Sequence, residues 1–207
     1  MKDLLVYTAD ADAQAFMRAI LNRPQAIGIR DITFDIDRHH SRDSGMVQNG
    51  PELAGMKKGR HHKILMMWDH HGSGREIRQS PEEVAINISD RLDRVTWSGN
   101  HTVAILVPEL EQWLWHCENA LAAYCGIDPN QLDQWIEERA TKLKITVSEL
   151  KSSQPKELFE YVMLNKLRRS ISPRDFEEIG KKASVKALKA CPTFESIISR
   201  LTSWFPA

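Results

Sequence analysis

The chain has 207 residues, enough for one domain with a sizeable hydrophobic core. Its 28 Lys and Arg balance 28 Asp and Glu, so bulk charge alone implies neither a nucleic acid nor a membrane. No apolar run is long enough to span a bilayer, Met1-Lys2-Asp3 opens no signal-peptide pattern, and Cys117, Cys125 and Cys191 lack metal-type spacing, so a soluble cytoplasmic protein with reduced thiols is expected.

Leu4-Leu5-Val6-Tyr7 reads as a first strand, and Ala13, Phe16, Met17, Ile20 and Leu21 mark one face of the helix that follows. Asp10 and Asp12 stand where strand becomes helix. Either can simply cap the helix and complement its dipole, or both can join an acidic cleft if another acid-tipped strand lies alongside. Ile29 to Phe34 alternates as a second strand. The stretch from Asp35 to Gly45, with His39, His40 and Arg42, has no periodicity and reads as a long loop. Lys57-Lys58-Gly59-Arg60-His61-His62-Lys63 is a basic lead-in to the next strand, either solvated or attracting phosphate.

Ile64-Leu65-Met66-Met67-Trp68 is a short apolar run of the kind a buried strand needs, and it stops at Asp69-His70-His71-Gly72-Ser73-Gly74-Arg75. Strand alternation points Asp69 and His71 to one side and His70 to the other. Gly72 and Gly74 allow a sharp turn whose N–H groups can face an anion. Ser80-Pro81-Glu82-Glu83 is a capping box with Pro at the first helical position, ahead of a stripe of Val84, Ile88, Leu92 and Val95. An acidic strand end with a glycine turn before a helix is where open α/β sheets keep their ligands.

Thr102 to Val107 reads as another strand, and Pro108 as a helix start with Leu110, Trp113, Leu114, Cys117 and Leu121 buried. Glu109 and Glu111 then fall in its first turn, roughly 200° apart, so only one of them can face a cleft. From about Asp128 the pattern is helical only, with starts at Ser153-Gln154-Pro155, Ser172-Pro173 and Cys191-Pro192. The last stripe is Phe194, Ile197, Ile198, Leu201 and Trp204. Residues 1–127 are thus expected to form an α/β domain with a small parallel sheet flanked by helices, and 128–207 an all-helical extension packed on it. Residues 151–207 hold eleven Lys and Arg against six Asp and Glu, net +5, which leaves 1–150 at net −5. An acidic α/β half suits divalent cations and a basic helical half suits a phosphate chain.

The order strand–acid–helix, strand, strand–Asp-x-His, strand–Glu resembles the Toprim-like fold of phosphoryl-transfer enzymes, in which acids at strand ends hold a metal ion. Nearly end to end, the chain also resembles an uncharacterised bacterial family found in methylation-associated phage-defence systems. That resemblance is carried by His39 or His40 with Arg42-Asp43-Ser44-Gly45, by Asp69-His70-His71-Gly72-Ser73-Gly74 and by Pro108-Glu109-Leu110-Glu111-Gln112-Trp113. Pro155-Lys156, Cys191 and Trp204-Phe205-Pro206 complete it. It implies a metal-dependent phosphodiesterase or nuclease working beside nucleic acid and other defence proteins, with Asp10, Asp69, Glu109 and Glu111 catalytic. Asp12, Asp69 and His71 would hold the ion, and Arg42, Lys57, Lys58, Gly72, Ser73, Gly74 and Arg75 the substrate phosphates. Two positions depart from the Toprim pattern. Ala9 stands near the expected glutamate, so Asp10 or Asp12 must replace it, and His71 replaces the second acid, which favours Mn²⁺ or Zn²⁺ over Mg²⁺. Two alternatives are a non-catalytic subunit that senses nucleic acid or nucleotide, and a DHH-type phosphoesterase, which Asp10-Ala11-Asp12 with Asp69-His70-His71 resembles.

Overall fold

The computed structural model describes residues 1–207. In chain order the elements are β1 (Lys2–Thr8), α1 (Ala11–Leu21), α2 (Pro24–Ile27), β2 (Phe34–Arg38), α3 (Arg42–Gln48), α4 (Gly50–Gly55), β3 (His61–Asp69), α5 (Pro81–Leu92) and β4 (His101–Leu106). A 3-10 helix, Leu110–His116, leads into α6 (Glu118–Cys125), α7 (Pro129–Leu143), α8 (Val147–Ser153), α9 (Pro155–Glu160), α10 (Pro173–Lys182), α11 (Val185–Leu188) and α12 (Pro192–Trp204). The four strands form one parallel sheet in the order β2-β1-β3-β4.

Period-two alternation sorts the strand side chains into two cores. Leu4, Val6, Leu65, Met67, Ala104 and Leu106 face a cluster of 42 buried residues that also takes in α1 and the C-terminal helices. Leu5, Tyr7, Ile64, Met66, Trp68 and Ile105 face a smaller cluster of 14 with α3, α4 and α5. The C-terminal helices therefore share one continuous core with the sheet. α10 lies tight against α1 at Gly180, where an added Cβ would meet the Ala19 Cβ at 2.9 Å. Arg23 fastens the same joint, donating to the carbonyls of Gly180 (2.9 Å) and Ala183 (2.8 Å).

Helix starts follow their sequence signals. Ser80 and Glu83 form the capping box of α5, Asp10 caps α1, and Pro opens α7, α9, α10 and α12. Four expectations need correction. The second strand is Phe34–Arg38 and not Ile29–Phe34, and the stretch expected as a loop holds β2 and α3. Ile29 is buried in an antiparallel bridge to Pro206 instead, while Asp35 and Asp37 are tolerated in an edge strand because Lys2 and Lys57 pair with them. No regular helix begins at Pro108: Glu109 is extended (φ −153°, ψ 166°) and the turn after it is 3-10. Trp204 is only partly buried, its ring lying under the charged ends of Lys63 and Arg200, whereas the other four members of its stripe are fully buried.

Candidate acidic site at the C-terminal edge of the sheet

Parallel register brings the strand exits to one height. Thr8 pairs with Met67 and Asp69 with Leu106, so Asp10, two residues past Thr8, comes level with Asp69. The exits of β3 and β4 are then tied together, His70 N–H donating to the Leu106 carbonyl (2.8 Å) and His71 N–H to that of Pro108 (3.3 Å). This carries Glu109, Leu110 and Glu111 over the end of β3. The Leu110 N–H donates to Asp69 Oδ1 (2.9 Å), and the Asp69 N–H donates to Asp43 Oδ1 at the start of α3 (3.0 Å).

A cavity of about 520 Å³ opens here, with Asp10, Asp12, Asp69 and Glu111 on its walls and Lys156, Arg38 and Arg42 among them. The carboxylates act on one another. Burial, then the charges of Glu111, Asp10, Asp43 and Glu109, push the Asp69 carboxyl well above the usual range. Glu111 is pushed up to about 7, chiefly by burial, against the pull of Lys156. Asp12 is pushed up to about 6 by burial and by Asp10, and burial raises Asp43 as well. Lys156 is held charged above the ordinary lysine range by Glu111, Glu109 and Asp69, which outweigh its own desolvation.

The sequence-derived site residues divide into those inside this cavity and those elsewhere. Asp10 lines it while capping α1, its Oδ1 accepting the Ala13 N–H (2.8 Å). Glu109 and Glu111 are both buried beside Asp69, because an extended Glu109 ahead of a 3-10 turn escapes the angular separation that a regular helix imposes. His71 does not join Asp69. Regular strand geometry ends at Asp69, so alternation no longer sets the histidine's direction, and its exposed ring places Nδ1 2.9 Å from Glu109 Oε1 at the rim. His70 Nε2 is buried without a hydrogen-bond partner.

The glycine turn is also elsewhere. Gly72 (φ +87°) and Gly74 (φ +74°) fold the chain back on Glu76, whose carboxylate accepts the Gly72 N–H (3.4 Å) and the Ser73 hydroxyl (3.4 Å). Backbone N–H groups, its own first and then those of Gly72, Arg75 and Gly74, hold the Glu76 carboxyl below the usual range. The anion in this turn is the chain's own. Lys57 pairs with Asp37, and Lys58 lies over the Trp97 ring, 4.6 Å from its centroid. Lys57 belongs to a different cavity, of about 550 Å³, beside Lys2 and His61 where β1 and β3 begin. Of the basic candidates only Arg42 reaches the acidic cavity, from a left-handed backbone (φ +52°).

Two participants were not assigned a role from sequence. Asp43 lies in a stretch without periodicity, and Lys156 follows the Pro that starts α9. A lysine in the first turn of a helix opposes the helix dipole, and that signal was readable. His39, at the back of the cavity, is structural: it accepts the Ser41 N–H at Nδ1 (3.0 Å) and bonds Asn49 Oδ1 through Nε2 (2.9 Å).

The donor set suits a hard divalent cation, being all oxygen and repelling itself. One oxygen each of Asp10, Asp43 and Asp69 accepts a backbone N–H, leaving the other for a ligand. No three His, Cys, Asp or Glu side chains already stand in metal-holding geometry, so the carboxylates are clustered without being converged. Comparison with protein-family models, curated proteins and solved structures finds no match to this chain.

Proposed function

We propose that the acidic cavity binds a divalent cation and hydrolyses phosphodiesters, in the setting of an anti-phage defence system as the sequence resemblance implies. One observation carries the catalytic reading: four carboxylates, from β4's exit, β1's exit and α3, gather around Asp69 with the Lys156 ammonium and the Arg42 guanidinium beside them. Buried structural carboxylates are normally given a cation or hydrogen-bond donors, and a self-repelling group is costly to the fold unless a bound ion offsets it.

Asp69, Glu111 and Asp10 would hold the ion, with Asp12 and Asp43 next to them. A bound Mg²⁺ or Mn²⁺ supplies charge for the phosphoryl oxygens and lowers the pKa of water. Lys156 and Arg42 neutralise the non-bridging oxygens of the phosphate. Glu111 would be ionised as a ligand, so water gives its proton to solvent as its oxygen bonds to phosphorus, and the alkoxide leaving on the opposite side takes one from solvent as the other P–O bond breaks. His71 orients Glu109 at the rim and is not needed as a ligand, so the ion preference follows the oxygen donors and falls on Mg²⁺ and Mn²⁺.

The test is hydrolysis of bis(p-nitrophenyl) phosphate with Mg²⁺, with Mn²⁺ and with a chelator. Turnover by the wild type that requires the ion, and its loss in Asp69→Asn, support the reading. Equal rates in the chelator or in Asp69→Asn contradict it. The unconverged carboxylates favour a second reading, a subunit that binds nucleic acid or nucleotide without cleaving it; strand binding with no hydrolysis under any ion selects that one.

A further inference from the structure

A second cavity, of about 590 Å³, shares Ser172 on its wall with the acidic one, so the two are neighbours on the surface. Its walls carry Arg168, Arg169 and Arg174. The two carboxylates there are already committed. Asp175 is buried and accepts the Tyr124 hydroxyl (2.7 Å), the Ser172 N–H (2.6 Å) and the Ser172 hydroxyl (2.8 Å), while Glu178 is bound by Lys181 (2.9 Å). Arg169 donates to the Tyr124 hydroxyl (2.9 Å) and stands 3.7 Å from Asp175, which fixes its guanidinium on the wall. Arg168 and Arg174 are exposed, and neither has a carboxylate within ion-pair distance. Across Ser172, the rim of the acidic cavity adds Arg38 and Arg42, both exposed.

Arginine matches phosphate oxygens with a rigid fork of donors, and a mononucleotide needs only one or two such contacts. Cations spread over two neighbouring cavities fit successive phosphates along a chain. The placement also gives the charge asymmetry of the sequence a use, since the groove arginines belong to the net-positive C-terminal part and the carboxylates to the net-negative remainder.

We infer that the Arg168–Arg169–Arg174 groove seats the backbone of a nucleic-acid strand and leads it into the acidic cavity, so that the substrate is a polymer and not a small phosphodiester. The word substrate rests on the phosphodiesterase reading; the seating of the strand does not. Arg169 forms the fixed wall, Arg168 and Arg174 the free contacts, and Arg42 receives the strand at the carboxylates.

The experiment is fluorescence anisotropy with a fluorescein-labelled single-stranded DNA of mixed sequence, in chelator, across a range of salt. Wild type binds, more weakly as salt rises. Arg168→Gln combined with Arg174→Gln weakens binding on the order of tenfold and lowers the log–log salt slope by roughly 1.4, about 0.7 for each lost phosphate contact. Lys142→Gln combined with Lys144→Gln removes the same charge from exposed positions outside both cavities and leaves binding unchanged. All four side chains are exposed, and thermal melts of the two double variants confirm an intact fold. Absence of binding by wild type, or equal weakening by both double variants, overturns the groove, whatever the result with bis(p-nitrophenyl) phosphate. Retained strand binding by an Asp69→Asn protein that no longer cleaves supports both assignments separately.

Discussion

The two ends of one sheet treat the same side chains in opposite ways. Where the strands begin, Asp35 pairs with Lys2 and His61, and Asp3 with Arg30 (2.7 Å) and Thr33. Hydrogen bonds from Lys2 and His61 hold the Asp35 carboxyl below the usual range, and the Arg30 guanidinium does the same for Asp3. Where the strands end, Asp12, Asp43, Asp69 and Glu111 are all pushed upward, by burial first and then by neighbouring carboxylates, Asp10 among them in every case. Acids that hold the fold are given a cation; acids gathered without enough cations are available to bind one.

The largest test of this contrast is catalytic. Asp69→Asn should reduce phosphodiester hydrolysis on the order of 10²–10³-fold, the size of losing one preorganised charge-stabilising group. Asp35→Asn, at the other end, should leave the rate unchanged.

Stability against pH separates the ends by sign. Glu111 ionises near 7 in the folded protein, above the ordinary 4.5, so the folded state holds its proton more tightly than the unfolded chain. Its contribution is full below about 4.5 and falls away as pH rises to 7, by ~3 kcal/mol in total. In the absence of divalent ions, Glu111→Gln should therefore gain on wild type in urea unfolding as pH rises through that window. Asp35→Asn should behave oppositely. Its depressed carboxyl stabilises the fold above about pH 4 and stops doing so in acid, and exposure limits the loss to about 1 kcal/mol or less.

Packing, not ion pairing, holds the acidic end in place. A Cβ on Gly45 would fall 2.2 Å from the His39 ring, in the helix that presents Asp43. Gly45→Ala should cost about 1–3 kcal/mol of stability, as an overpacked interior site does, and should lower activity beyond the loss of folded protein. The smallest effect is expected at Lys57, whose partner is Asp37: Lys57→Ala should leave hydrolysis and strand binding unchanged, read in the same two assays.

The parts legible in sequence were those that burial dictates. Strand β3 announced itself because both its faces are covered, leaving an unbroken apolar run that stops at Asp69. The Ser80 and Pro-led helix starts were legible because their chemistry is local. Strand β2 was not, since its Asp35 and Asp37 are made compatible with an edge strand by lysines far away in sequence. For the same reason the gathering of Asp69, Asp10 and the glutamates at one sheet edge was legible, while the nearness of Asp43 and Lys156 and the direction of His71 were not. The former follows from strand exits in a parallel sheet; the latter depend on where the chain turns after it leaves the strand.

Calorimetric titration of Mn²⁺ into the metal-free protein near pH 6.5, in two buffers of different ionisation heat, tests the cation claim most directly. Binding with release of protons is expected, because Glu111 and Asp12 ionise near 7 and 6 and must give up the protons they hold there. His71→Ala should bind like wild type and Asp69→Asn should not bind. A wild type that takes up neither Mn²⁺ nor Mg²⁺ would contradict the account.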